Sequence, residues 1–347
     1  MRRLAVVLAA LPLLDCAGTP PSRPVLMPRP GQARGLSMAE RNRECVRCHA
    51  DVAREWRGSP HQRADLNPAY RRALAREPLA MCRSCHAPEA DPGGAAPAAL
   101  SELGVACVTC HLSGEAVLAA PRSGGHAERA PHALVRDARF GSPAACAACH
   151  EFPFPDAALR SEPELMQSTL SEHQRSRYAK LACASCHMPA TGGRRHHGFA
   201  RRSEQALREA LVVRVTRPSP TRLALVLESS GVGHAFPTGD LFRRLEISVE
   251  AVGDDYASVA RSVRYLTRHY RPIGKRGLPR RVVRDDRLAP RARVELDLPP
   301  VAGDFPLAWR VAYQRVEHPA GAGEESAVVE SEVTLAEGIV AVPQEKP

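Results

Sequence analysis

Cys45-Val-Arg-Cys48-His49 recurs in kind four more times, as Cys82-Arg-Ser-Cys85-His86, Cys107-Val-Thr-Cys110-His111, Cys146-Ala-Ala-Cys149-His150 and Cys183-Ala-Ser-Cys186-His187. Each repeat has the Cys-x-x-Cys-His pattern of a c-type haem attachment site. Two thiols bond to the porphyrin vinyl groups, and the adjacent histidine reaches the iron as proximal ligand. The spacing is tight because all three groups must meet one edge and one face of the same macrocycle. Zinc knuckles and disulfides also use paired cysteines, but neither needs a histidine after every second one. With 14 histidines in 347 residues, five such coincidences have a chance on the order of one in ten million. The motifs use ten of the eleven cysteines. The sequence therefore predicts five covalently bound c-type haems, each holding iron.

A haem iron with two protein ligands is usually an electron carrier, whereas one with a single ligand can bind substrate. Nine histidines outside the motifs are candidates for the second position. His61 follows the first motif and Trp56 in a short stretch read as helical, and Trp56 suits packing against a macrocycle. His126 and His132 lie in a Gly/Pro-rich segment after the third motif, where a loop can fold over a haem. His196 and His197 follow the fifth motif, and one of two adjacent rings can face a haem while the other points away. His173 suits a packing role as well as ligation. His269 and His318 fall between expected strands, far from any motif, and read as surface residues.

The N-terminus has Arg2 and Arg3 before an apolar run from Leu4 to Leu14. This is the form of an export signal over 1–15, too short to span a bilayer. Cys16 follows at once and is a candidate lipid anchor, although Asp15 is not the small residue such signals carry there. Residues 16–38, rich in Pro, Gly and Arg, read as an extended tether. A haem-bearing unit of helices and loops is expected over 39–205.

Beyond it the cysteines stop and period-two alternation begins. Leu211, Val213 and Val215 alternate with polar or outward neighbours, as do Leu223, Leu225 and Leu227; Leu245, Ile247 and Val249; and Val294, Leu296 and Leu298. Trp309 to Arg315 and Val329 to Leu335 supply further strands. About seven short strands predict an all-β, immunoglobulin-like sandwich over 206–347. Within it, Gly231-Val-Gly233-His234-Ala-Phe236-Pro237-Thr238-Gly239 is a loop whose glycines and proline constrain the backbone around one histidine. Its functional reading is a rigid loop that presents His234 to a haem of the first unit.

At these residues the chain resembles the cytochrome c-554 type of multihaem cytochrome (the cytochrome c-552/4 domain). The likeness rests on the first motif with Trp56 and His61, and on Gly104-Val105-Ala106 before the third. It extends to the fifth motif with Met188-Pro189 and His196-His197-Gly198-Phe199, and to Gly233-His234-Ala-Phe236-Pro237-Thr238-Gly239. The resemblance implies mostly bis-histidine haems packed closely enough for electrons to hop between them. It also implies that a tryptophan is common where His173 stands. The tetrahaem namesake has a five-coordinate haem at its second motif, which makes His86 the candidate open site. The fifth haem and the β domain have no counterpart there.

Two functions follow. One is an electron carrier between periplasmic or membrane donors and acceptors, and chain economy favours it because so few residues wrap five large cofactors. The other is an oxidoreductase acting on nitrogen or sulfur oxyanions at an open haem. A lysine-ligated haem is excluded, since the chain's three lysines, Lys180, Lys275 and Lys346, follow no Cys-x-x-Cys. The net charge of +10 usually suggests nucleic acid or an anionic surface. Five haems would bring about ten propionates, which arginine pairs well, so no nucleic-acid partner is needed.

Overall fold

The computed structural model describes residues 27–121, 130–155, 164–199, 203–272 and 280–342. The export segment, Cys16, the first part of the tether and His126 lie outside the described residues. An α-helical N-terminal region is followed by a β-rich C-terminal region.

The N-terminal helices are short: α1 (Ser37–Cys48), α2 (Ala50–Trp56), α3 (Pro68–Arg76), α4 (Ala80–His86) and α5 (Ala98–Leu103). They continue with α6 (Cys107–His111), α7 (Ala144–His150), α8 (Thr169–Gln174) and α9 (Cys183–His187). Each attachment motif closes a helix. In that geometry the two cysteines, three apart, and the histidine beyond them share one face. Protein packing between these helices is thin. Its largest apolar cluster joins Met38 and Ala39 of α1 to Leu100 and Leu103 of α5 and Val108 of α6. The end of the expected tether is pinned rather than extended: Arg34 pairs with the buried Glu89 at 2.7 Å, and Gly35 N donates to Glu89 O.

The expected helix at His61 ends early. Helix α2 stops at Trp56, and Gly58, at φ +75°, turns the chain into a run of turns that carries His61. A left-handed glycine just past a helix is a common stop.

In the C-terminal region the strands are β1 (Leu211–Ser219), β2 (Arg222–Ser229), β3 (Arg243–Val252), β4 (Ser258–Leu266) and β5 (Arg268–Pro272). They are followed by β6 (Arg280–Asp285), β7 (Arg291–Asp297), β8 (Leu307–Val316) and β9 (Val329–Val340). One antiparallel sheet has the order β7-β2-β1 and another the order β4-β3-β8-β9, while β5 and β6 form a separate pair. Alternation decides which side chains go inside. Leu223, Leu225 and Leu227 of β2 join Leu245, Ile247 and Val249 of β3 and Val311 of β8 in one apolar core. Both sheets contribute to it. A tenth helix, α10 (Glu204–Glu209), is capped by Ser203, and its Leu207 packs on this core, so it straddles the expected boundary at 205.

His269 is corrected here: it lies within β5 rather than between strands, and it is half-buried against Asp286 at 3.1 Å. His318 is exposed, as expected, and faces Glu77 at 3.5 Å. The β5–β6 pair and the loop before β3 meet the helical region. Arg268 donates to the carbonyls of Leu165 and Met166, and Tyr270 packs with Phe154 and Leu241.

Candidate haem sites

Three motif histidines face a second imidazole at one shared separation. His61 and His150, His111 and His197, and His187 and His234 each have ring centroids 6.2 Å apart. Two imidazoles on opposite sides of one metal, each bonded through nitrogen at about 2 Å, place their centroids about 6 Å apart. The spacing is too wide for face-to-face ring contact and matches that of two imidazoles across one metal.

Each partner is held by its backbone. His61 O accepts from Val105 N at 2.9 Å, and Val105 O accepts from Trp56 Nε1 at 2.9 Å. Gly104 makes that approach practicable: its φ is +55°, and a Cβ there would lie 2.3 Å from Gln62 O. Phe199 sets its ring edge-on to His61 at 4.0 Å. His197 is fixed through Glu55, which accepts from His197 N at 2.9 Å and from both Arg194 Nη atoms at 2.7 and 2.8 Å. The Arg194 hydrogen bond lowers the Glu55 carboxyl to about 2. His196 turns the other way, with Nδ1 accepting from Gly198 N and Nε2 3.7 Å from Glu55.

The ring nitrogens show a consistent division. Nδ1 of His86, His111, His197 and His234 lies 2.8 to 2.9 Å from the backbone carbonyl of Ala64, Leu118, Arg195 and Ala235 respectively. Donation from Nδ1 leaves the Nε2 lone pair for a metal, the usual arrangement of ligating histidine. Burial lowers the pKa of the same four rings, which keeps them in the neutral form that can ligate. His150 Nδ1 lies 3.1 Å from the Gln167 side-chain amide. In contrast, both nitrogens of the buried His173 face carbonyls, of Gly233 and Leu181, at 2.9 Å. No nitrogen of that ring is left for a metal.

The first two motifs differ from the other three. His86 stacks on Tyr70 at 3.7 Å with planes only 3° apart, too close for an iron between them. Among the described residues no imidazole stands across from His86 or His49. His132 is exposed, and no ring faces it among the described residues.

The thiols suit the same cofactor. All ten motif cysteines are free, none in a disulfide. The Cys146 and Cys183 thiols perturb one another, as do Cys85 and Cys149, so the second, fourth and fifth motifs lie near one another. Burial pushes Cys82 and Cys107 up to about 11 and Cys110 to about 12, which holds them as thiols. The hydroxyls of Tyr70 and Tyr270 are buried without a hydrogen-bond partner among the described residues. Buried polar groups are normally satisfied, and haem propionates are acceptors of the right kind. The residues present therefore fit haem.

Glu55, Tyr70 and Glu172 carry no sequence signal of their own. Their partners are distant in the chain, and a lone carboxylate or tyrosine in a short helix reads as surface.

Residues 44–112, which span the first three motifs, match the family model described as Cytochrome c554 and c-prime. The fold is similar to that in the crystal structure of a penta-heme cytochrome c552 from Thermochromatium tepidum. The TM-score is 0.62 at 18% identity, over 90% of this chain and 100% of that chain. No curated protein matches the sequence. Residues 44–112 thus resemble the c554 type of multihaem cytochrome, and the fold is similar to that of a penta-heme c552.

Proposed function

We propose that the chain is an exported pentahaem c-type cytochrome that passes electrons between periplasmic or membrane redox partners through mostly bis-histidine haems. The observation that carries this reading is the set of three imidazole pairs, all at 6.2 Å. Bound haem supplies one-electron chemistry at iron. The chain's part is to anchor each macrocycle by two thiols, fix its imidazoles, and keep water from the ligand side. In this reading the ligand pairs are His150 with His61, His111 with His197, and His187 with His234. His49 and His86 are the proximal ligands at the first and second motifs.

The functional units are a pentahaem domain over 39–205 and an immunoglobulin-like sandwich over 206–347. In chain order the two sheets hold the first, second and seventh strands, and the third, fourth, eighth and ninth. Such a division, with one core between, supports a sandwich. The leader places the protein in the periplasm, and Cys16 would anchor it to the outer membrane. No helix among the described residues is long and apolar enough to cross a membrane.

The test is a haem count by intact mass and pyridine haemochrome on matured protein. Five haems are expected, with one lost for each Cys-to-Ser pair; a lower count in the unsubstituted protein would overturn the reading.

One observation favours a second reading, in which the haem at His86 is open and acts on nitrogen or sulfur oxyanions. It is that, among the described residues, Tyr70 stacks on the face of His86 at 3.7 Å and no imidazole stands opposite. Turnover of hydroxylamine, nitrite or tetrathionate at enzyme-like rates would support that reading over a pure carrier.

A further inference from the structure

Helix α8 grips the His234 loop on both sides of that histidine. The carboxylate of Glu172 accepts from Ala235 N at 3.2 Å and from Thr238 Oγ1 at 2.6 Å through one oxygen. Its other oxygen accepts from Ser168 Oγ at 2.8 Å and from Arg287 Nη2 at 2.7 Å. Thr169 adds a hydroxyl contact to Thr238 at 3.1 Å. The neighbouring His173 joins Gly233 O, just before His234, to Leu181 O, two residues before Cys183. Gly233 is closely fitted there, since a Cβ would lie 3.1 Å from His173 Nδ1. From the β side, Arg287 also reaches Pro237 O at 3.3 Å. The loop that carries His234 and the segment that leads into the fifth motif are thus tied to the same two residues.

We propose that Glu172 and His173 are positioning residues that fix His234 opposite His187, so that docking of the β domain sets the axial geometry of the fifth haem. This rests on the reading of His234 as a ligand. Neither residue belongs to an attachment motif, and neither touches the iron in this account. A loop with a single histidine has many rotational states, and its two hydrogen bonds to one buried carboxylate, itself tied to Arg287, remove most of them. Without them the imidazole would swing or leave, and the haem would change in spin state and potential while the other haems stay as they were.

The experiment compares matured full-length protein carrying Glu172→Ala, Glu172→Gln, His173→Phe, Thr238→Val or His234→Met by low-temperature spin resonance and redox titration. His234→Met should alter one haem, one-fifth of the iron; no change there would refute the ligand reading and the proposal with it. With that control in place, Glu172→Ala and His173→Phe should shift the signal and midpoint of the same haem alone. Glu172→Gln, which keeps one accepting oxygen for Ala235 N and Thr238 Oγ1, should restore part of the parent signal. If Glu172→Ala or His173→Phe lowers the melting temperature and leaves every haem signal unchanged, the two residues are structural ties only and the proposal is wrong. If Glu172→Ala does not mature, Thr238→Val carries the same expectation. Failure of all of these variants to mature would also count against a local role.

Discussion

At the scale of single residues, the paired imidazoles owe their positions to groups outside the proposed ligand set. Glu55 is the clearest case, because one carboxylate holds both Arg194 and the backbone of His197. Its pKa in the fold is about 2, against an ordinary 4.5, with the Arg194 hydrogen bond the leading cause. A depressed carboxylate adds stability that is complete above the unfolded value and is lost as pH falls toward the folded one. The stability gap between the parent and Glu55→Gln should therefore be widest at pH 5 and above and should close between about 4.5 and 2. Denaturant melts at pH 7 and pH 3 measure this, and a gap independent of pH would refute it. Glu55 could not be found from the sequence. It lies 142 residues from the backbone it holds, and a glutamate beside a tryptophan on a short helix has no distinguishing pattern. The attachment motifs were legible for the opposite reason, since all three groups of each sit within five residues.

Among elements, the segment from Gly104 into α6 is the one most sensitive to substitution. Its backbone passes so close to the His61 turn that a side chain at 104 meets Gln62 O, and the φ of +55° adds a second penalty. Gly104→Ala should cost at least ~2 kcal/mol and should disturb the haem that His61 serves. A denaturant midpoint read beside the haem spectrum checks both, and a neutral substitution would show that the close approach relaxes. Strands were read well where one face is buried. Leu245, Ile247 and Val249 go inside as their alternation required. Three strands lack the apolar alternation. Strand β4 is an edge whose Arg261 and Arg264 interrupt the pattern, and the arginine-rich β5 and β6 pair with each other outside both sheets. The turn at His61 runs against the helical propensity of its neighbours because Gly58, at φ +75°, stops the helix just past Trp56.

Over the whole molecule, two kinds of tie join the β-rich region to the helical one, and their magnitudes differ. Arg72 meets Glu330 at 2.9 Å with half of its own side chain exposed, and such pairs contribute little and weaken with salt. Glu172 and Arg287 are 6% and 7% exposed, and removing one partner of a buried pair costs about 3 kcal/mol. Burial raises the Glu172 pKa, but Arg287, Thr238 and Ser168 outweigh it, so the carboxyl stays below its ordinary value and charged. Arg72→Ala should therefore leave the melting temperature nearly unchanged, whereas Glu172→Ala should lower it by several degrees. Equal effects in calorimetry would contradict this ranking. The thin protein core of the N-terminal region and the +10 charge have a common explanation at this scale. In the proposed reading, both are properties of a chain whose interior and countercharge come from five macrocycles.

The central claim is that at least three haems carry two histidines each, across the 6.2 Å imidazole pairs. Its most direct test is the low-temperature spin-resonance spectrum of the fully matured, oxidised protein, integrated against a haem count. The account predicts that low-spin ferric signals hold at least three-fifths of the iron, with any high-spin signal confined to the haems at His86 and His49. A spectrum dominated by high-spin ferric iron would contradict it.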